Sequence, residues 1–210
     1  MAIVCAYELS VEAYVAAGRE VELGPKECPT CARVMGGWSG YWRSVRDSAG
    51  YWQRIWAPRA RCRSCRKTHV LLPSFVLCGR LDLVDRIGAV LEEVAEGRPV
   101  GRAAAGVGIA RSTVRGWVGR FAERAGMLVV SFSALSVELS GEVVRPVREE
   151  VRFALFAIRA AFTAASKLPG WLSVGCFGFA SAVTGGRLLS TNTNAPLFVV
   201  GKRRFIPPVG

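Results

Sequence analysis

Cys28-Pro-Thr-Cys31 and Cys62-Arg-Ser-Cys65 decide how this chain is read. Two residues between paired thiols let a tight turn aim both sulfurs at one point, and two such turns complete the tetrahedron that zinc prefers. Thirty residues separate the pairs. Within that interval Trp38–Arg46 and Tyr51–Arg61 mix aromatic and basic side chains, with Ser48-Ala-Gly50 between them as a turn. In the second run Trp52, Arg54 and Trp56 fall on one face, and Gln53, Ile55 and Ala57 on the other, which is the alternation of a strand. The pattern predicts a zinc ribbon, a β-hairpin held between two cysteine knuckles. Pro58 predicts that its strand is an edge or is broken there, because proline has no amide proton for a ladder.

Cys28, Cys31, Cys62 and Cys65 are therefore the expected ligands of one structural Zn²⁺. Four thiolates leave no open coordination position for a reactive water. A ribbon too thin to bury much apolar surface takes part of its missing core from the ion. The competing reading is a redox dithiol, but a redox CxxC normally stands alone at a helix start, whereas these pairs are matched. Cys5, Cys78 and Cys176 have no partner at ligand spacing and read as small buried residues. His69, the one histidine, lies four residues past Cys65. A structural role, a ligand role and a phosphate contact all stay open for it.

Charge is distributed unevenly. The 210 residues carry 28 basic and 16 acidic side chains, a net of +12, and residues 28–120 alone hold +10 of it. Residues 1–27 are net −3. Concentrated positive charge attracts polyanions, nucleic acid first among them. An arginine-rich genome would spread charge evenly, so the clustering favours a partner. Seven cysteines and a start (Met1 to Cys5) with neither a basic stretch nor a long apolar run predict a reducing compartment. Trp171–Val183, the most apolar stretch, is too short to span a bilayer. A cytoplasmic, nucleoid-associated protein without a membrane partner is expected.

Three textures follow one another: residues 1–79, β and loop with the ribbon; 80–126, helical; 127–210, helical and apolar with an irregular basic tail. The expected class is α+β, mainly α. Asp82 reads as the cap of a helix with Val84, Ile87, Leu91 and Val94 on one side and Gly97 as its stop. A short helix over Val100–Ala105, a break at Gly106-Val-Gly108 and a third helix over Arg111–Ala125 complete a helix-turn-helix layout. Further helices are expected over Met127–Leu139, Glu149–Ala165 and Trp171–Gly185, and a strand over Leu197–Val200.

On a helical wheel, Val114, Trp117, Val118 and Phe121 gather on one side, and Ser112, Arg115, Gly116 and Gly119 on the other, flanked by Arg111, Thr113 and Arg120. The second face suits the major groove of double-stranded DNA. Arg115 can bond bidentately to guanine, Ser112 and Thr113 reach bases or phosphates, and Gly116 lets the backbone approach closely. Arg61, Arg63, Arg66 and Lys67 crowd the second knuckle and suit phosphate contact. The aromatics Trp38, Tyr41, Trp42, Tyr51, Trp52 and Trp56 could pack the thin ribbon or stack the bases of an unpaired strand. Only three aspartates are present (Asp47, Asp82 and Asp85), too few to build a two-metal nuclease centre in the remaining chain. No catalytic residue is expected.

The order of motifs resembles a family of actinobacterial zinc-ribbon and helix-turn-helix proteins of the transposase-associated, mobile-element type. The resemblance rests on Cys28-Pro-Thr-Cys31, on Arg61-Cys-Arg-Ser-Cys-Arg-Lys-Thr-His-Val-Leu-Leu-Pro73, on the Ser-Thr-Val-Arg-Gly-Trp run at 112–117, and on Thr184–Asn194 and Arg203–Pro208. Ala110 departs from the family's Ser or Thr helix cap. The resemblance implies a link to transposition through a separately encoded transposase or recombinase. The expectation is a non-catalytic, sequence-specific DNA-binding protein, accessory or regulatory, whose C-terminal helices offer a partner or homodimer surface. Two alternatives are a diverged recombinase subunit that relies on a partner for catalysis and a zinc-ribbon protein-protein adaptor.

Overall fold

The computed structural model describes residues 2–7, 9–23, 26–146, 148–168, 171 and 174–189. They form an α+β fold. In chain order the strands are β1 (Ala2–Cys5), β2 (Lys26–Glu27), β3 (Val34–Arg46), β4 (Trp52–Arg61) and β5 (Thr68–Pro73). The helices are α1 (Val11–Ala17), α2 (Val84–Ala95), α3 (Val100–Gly106), α4 (Arg111–Ala122), α5 (Ala125–Ser140), α6 (Glu150–Ala165) and α7 (Cys176–Val183). The expected strand at Leu197–Val200, the Lys202–Arg204 cluster and the rest of the tail lie outside the described residues. Among those described, no helix is long and apolar enough to cross a membrane.

The sheet runs β1-β5-β4-β3-β2, with β1 parallel to β5 and every other pair antiparallel. Its spine is the β3–β4 hairpin, which turns through Gly50 at a φ of +93°. Cross-strand partners follow the alternation read above: Arg43 opposes Ile55, while Trp42 opposes Trp56 and Arg46 opposes Trp52 on the other face. Ile55, Ala57 and Val45 are buried. β4 is central overall, yet β5 pairs with it only over Arg59–Arg61. Pro58 thus sits just before the second ladder begins, where that side of β4 is still an edge.

Two elements were not anticipated. In place of β and loop alone, the first segment contains α1, started by Ser10, whose Oγ accepts the Ala13 amide proton at 3.2 Å, and ended by Gly18. Buried Tyr14 on α1 donates its hydroxyl to the Trp56 carbonyl at 2.9 Å and packs edge-on to Tyr7 and Phe75. β1, the other addition, closes the sheet along β5.

The helices begin close to the expected positions, with corrections at their ends. Asp82 does not cap α2; Leu83 holds that position without a side-chain bond. The Asp82 carboxylate instead pairs with Arg46 at 3.0 Å and Arg86 at 3.3 Å. α4 stops at Ala122 rather than running to Ala125, because α5 starts there. α7 is shorter than expected at its N-terminal end and begins after Gly175. Its place is dictated by α2. Phe177 lies against Gly88, where a Cβ would come within 2.0 Å of the ring, and Asp85 accepts the amides of Phe177 and Gly178. Burial still lifts the Asp85 carboxyl above its ordinary range. Phe179 on α7 completes the C-terminal core among Phe132 of α5, Phe162 of α6 and Trp171.

Candidate metal centre and basic surfaces

The two knuckles are built alike. Cys28 donates its amide to the Arg33 carbonyl at 2.8 Å, and Cys62 donates to the Lys67 carbonyl at 2.9 Å. The residue after each second cysteine takes a left-handed backbone, Ala32 at φ +56° and Arg66 at φ +60°. The register does the rest. β3 and β4 run side by side until Gly36 opposes Arg61, which brings the two turns together. Lys67 Nζ reaches Thr30 Oγ1 across them at 3.4 Å.

The four sulfurs converge. Cys28 and Cys65 are 3.5 Å apart, Cys31 and Cys62 are 3.4 Å apart, and all four lie within 4.8 Å of one another. Zinc–sulfur bonds of about 2.3 Å in a tetrahedron place sulfurs about 3.8 Å apart, so the cluster has the dimensions of a four-thiolate metal site. None of the seven cysteines is in a disulfide. The protons on this group are shared unequally. Burial opposes ionisation of Cys28, but the Thr30 and Cys31 amides and the neighbouring thiols bring it down to about 6. Cys62 is lowered chiefly by the Cys65 amide. At Cys65 the Lys67 amide favours the thiolate, yet burial and the three adjacent sulfurs prevail and push it up to about 11. Four thiolates this close ionise together only around a cation. The donor set therefore fits a soft, tetrahedral divalent ion.

His69 is fully buried on β5 opposite Ala60, so it does not contact phosphate. Its Nε2 lies 3.9 Å from Cys28 Sγ, and among the described residues its Nδ1 has no hydrogen-bond partner. The geometry suits a ring that orients a ligand sulfur. Cys5, Cys78 and Cys176 lie outside the cluster. Cys5 is buried, with its thiol pushed up to about 11 by burial, while Cys78 and Cys176 are half-buried.

A left-handed backbone costs a residue with a Cβ about 1–2 kcal/mol. Ala32→Gly is therefore expected to raise the stability of the metal-loaded protein by about 1 kcal/mol, checked by urea denaturation. An unchanged midpoint would mean the knuckle carries no such strain.

The sequence-predicted nucleic-acid residues fall in two places. On α4, Arg111, Ser112, Thr113, Arg115 and Arg120 are exposed and Gly116 is half-buried, while Val114, Trp117 and Phe121 are buried beneath them. Arg120 folds back to the Gly116 carbonyl at 3.1 Å. Ala110 precedes the helix without a side-chain cap. Around the second knuckle, Arg63, Arg66 and Lys67 are exposed and Arg61 is half-buried. The sequence reading missed two features. Burial lowers the Arg80 pKa, and repulsion from the charge of nearby Arg120 adds to it. Arg86, nearly buried, reaches the Asp47 and Ser48 carbonyls at the hairpin turn and the Val107 carbonyl before α4. Arg86 lies off the Val84–Ile87–Leu91–Val94 side of α2, so the helical spacing gave no signal of its burial.

The aromatic residues divide between packing and exposure: Trp42 and Trp56 meet edge to face at 5.4 Å, and Trp56 is half-buried. Trp38, Tyr51 and Trp52 are 59%, 71% and 59% exposed, so they do not pack the ribbon. Their flat neighbours are arginines: Arg61 lies 4.5 Å from the Trp38 ring centre, Arg54 5.1 Å from Trp42, Arg46 5.4 Å from Trp52 and Arg19 5.0 Å from Trp56.

Residues 28–117 match a family described as a domain of unknown function (DUF6431). The matched stretch opens on the first cluster cysteine and closes on Trp117, the buried anchor of α4. It therefore takes in both knuckles, the hairpin, α2, α3 and the first half of α4. No curated protein and no solved structure matches the chain.

Proposed function

We propose that this chain is a non-catalytic, sequence-specific DNA-binding protein. In this reading the four cysteines hold one structural zinc ion in a zinc ribbon, and α2, α3 and α4 act as a helix-turn-helix with α4 in the major groove. The observation that carries it is the two-sidedness of α4: a row of Arg, Ser and Thr in solvent over a fully buried Val114–Trp117–Phe121 face. Gly108, at φ +61°, makes the sharp turn that sets α4 across α3. Arg63, Arg66 and Lys67 would then contact phosphate, and Arg80 would add charge beside Arg120.

The absence of self-contained catalysis is likewise a proposal, supported by how the three aspartates are used. Asp47 accepts from the Tyr51 amide and Gln53, Asp82 pairs with Arg46 and Arg86, and Asp85 holds the start of α7. A role beside a separately encoded transposase or recombinase is supported by the sequence resemblance, and by exposed Val130 and Val137 on α5 and Phe156 on α6, which offer a partner an apolar surface.

Selection from random duplexes with the purified protein, followed by salt titration of the selected site, tests the reading. A consensus with a steep salt slope is expected. Arg115→Ala should then cost about 1–3 kcal/mol and relax preference at one base position. Binding that ignores sequence would overturn it.

A further inference from the structure

The hairpin carries a second feature that the groove-reading helix does not use. At its knuckle end the register of β3 slips between Gly37 and Ser39, and the extra residue is Trp38. This bulge pushes the indole out beside an open cleft of about 390 Å³ lined by Gly36, Gly37, Trp38, Arg61, Arg63 and Arg66, with Cys62 of the metal cluster in its wall. Arg61 covers part of the ring, yet Trp38 remains 59% exposed. Gly36 and Gly37 leave the approach clear, since a Cβ on either would meet nothing within 4 Å. Arg63 and Arg66 are both exposed.

Charge says what such a cleft would take. Residues 28–81 contain ten basic side chains and one acidic one, Asp47, whose carboxylate is engaged at the hairpin turn. The ligand is therefore an anion with a flat apolar part. Bases in a duplex hide their faces in the stack, so an exposed indole can stack only on a base outside one. We infer that the cleft between the Trp38 bulge and the second knuckle binds an unpaired nucleotide of a single strand. The base lies on Trp38, and Arg63 and Arg66 hold the flanking phosphates. A protein partner could also use an exposed Trp and Arg pair, but a cleft lined by three arginines and no carboxylate around an open ring favours the nucleotide.

The test measures affinity of the full chain for a labelled oligothymidylate and for a duplex, by fluorescence anisotropy at several salt concentrations. Trp38→Ala is expected to weaken single-strand binding about ten-fold, with Trp38→Phe restoring most of it. Arg63→Ala/Arg66→Ala should lower the single-strand salt slope by roughly 1–2. Both arginines are exposed, so this variant reports even if the tryptophan change disturbs the bulge. Arg115→Ala should leave single-strand binding unchanged, which separates failure of this inference from failure of the groove-reading one. No affinity for the oligothymidylate, or equal affinity with and without Trp38, overturns it and leaves the cleft to a protein partner.

Discussion

Cys62→Ser is expected to abolish tight zinc binding and unfold the β3–β4 end of the protein. Removing the metal with a strong chelator should do the same to the unaltered chain. Among the described residues, the knuckles meet through their sulfurs, the Lys67–Thr30 contact and the strand ladder. Met35 and Ala60 are the few buried apolar residues nearby on these strands. Binding of a structural zinc supplies about 10–16 kcal/mol in zinc-finger peptides, comparable with the whole stability of a typical domain. Circular dichroism with a zinc-release assay checks the result. One ion per chain should appear, and none after the substitution. A protein that stays folded without its ion would remove the metal from the architecture.

The second large effect is expected at Arg86. It is 7% exposed, pairs with Asp82, and satisfies carbonyls in two separate turns. Arg86→Met keeps the stem and deletes every one of these bonds, taking from the Ser48 and Val107 carbonyls, and from half of the Asp82 pairing, the partner described for them, while the Asp47 carbonyl keeps the Gly50 amide. Breaking a buried pair in this way costs about 3–5 kcal/mol. Urea denaturation should report that loss. A double-mutant cycle with Asp82→Asn should return a coupling of about 0.5–3 kcal/mol, because the two side chains share one network. Duplex binding should weaken as well, since Arg86 ties the hairpin turn to the turn that presents α4. A loss below about 1 kcal/mol would show these bonds to be replaceable by water.

The parts legible in sequence were those whose signals are local. CxxC spacing brought four sulfurs to one point, strict alternation fixed which side of β4 is buried, and the three-and-four spacing of Val114, Trp117 and Phe121 oriented α4. The parts that were not legible depend on contacts distant in sequence. α1 spans seven residues whose only marks are Ser10 and Gly18. The parallel pairing of β1 with β5 joins residues nearly seventy apart, such as Ala2 and Val70. Asp82 and Asp85 both looked like helix-start carboxylates, yet one completes an arginine pair and the other caps a different helix. Exposure of the tryptophans was hidden because a pattern of aromatic and basic residues fits a packed ribbon as well as an open one.

The arginines laid on the tryptophans have a consequence for the thermodynamics of recognition. A free arginine gives up rotamer freedom when an anion fixes it, at about 0.5–1.5 kcal/mol per side chain. Arg54 and Arg61 have surrendered part of that freedom already, because an indole face lies against each guanidinium, and Arg46 is held by the Asp82 carboxylate as well as by Trp52. Folding, rather than ligand capture, absorbs the entropy loss. If the proposed nucleic-acid binding holds, the hairpin would meet an incoming phosphate chain as a rigid charged template.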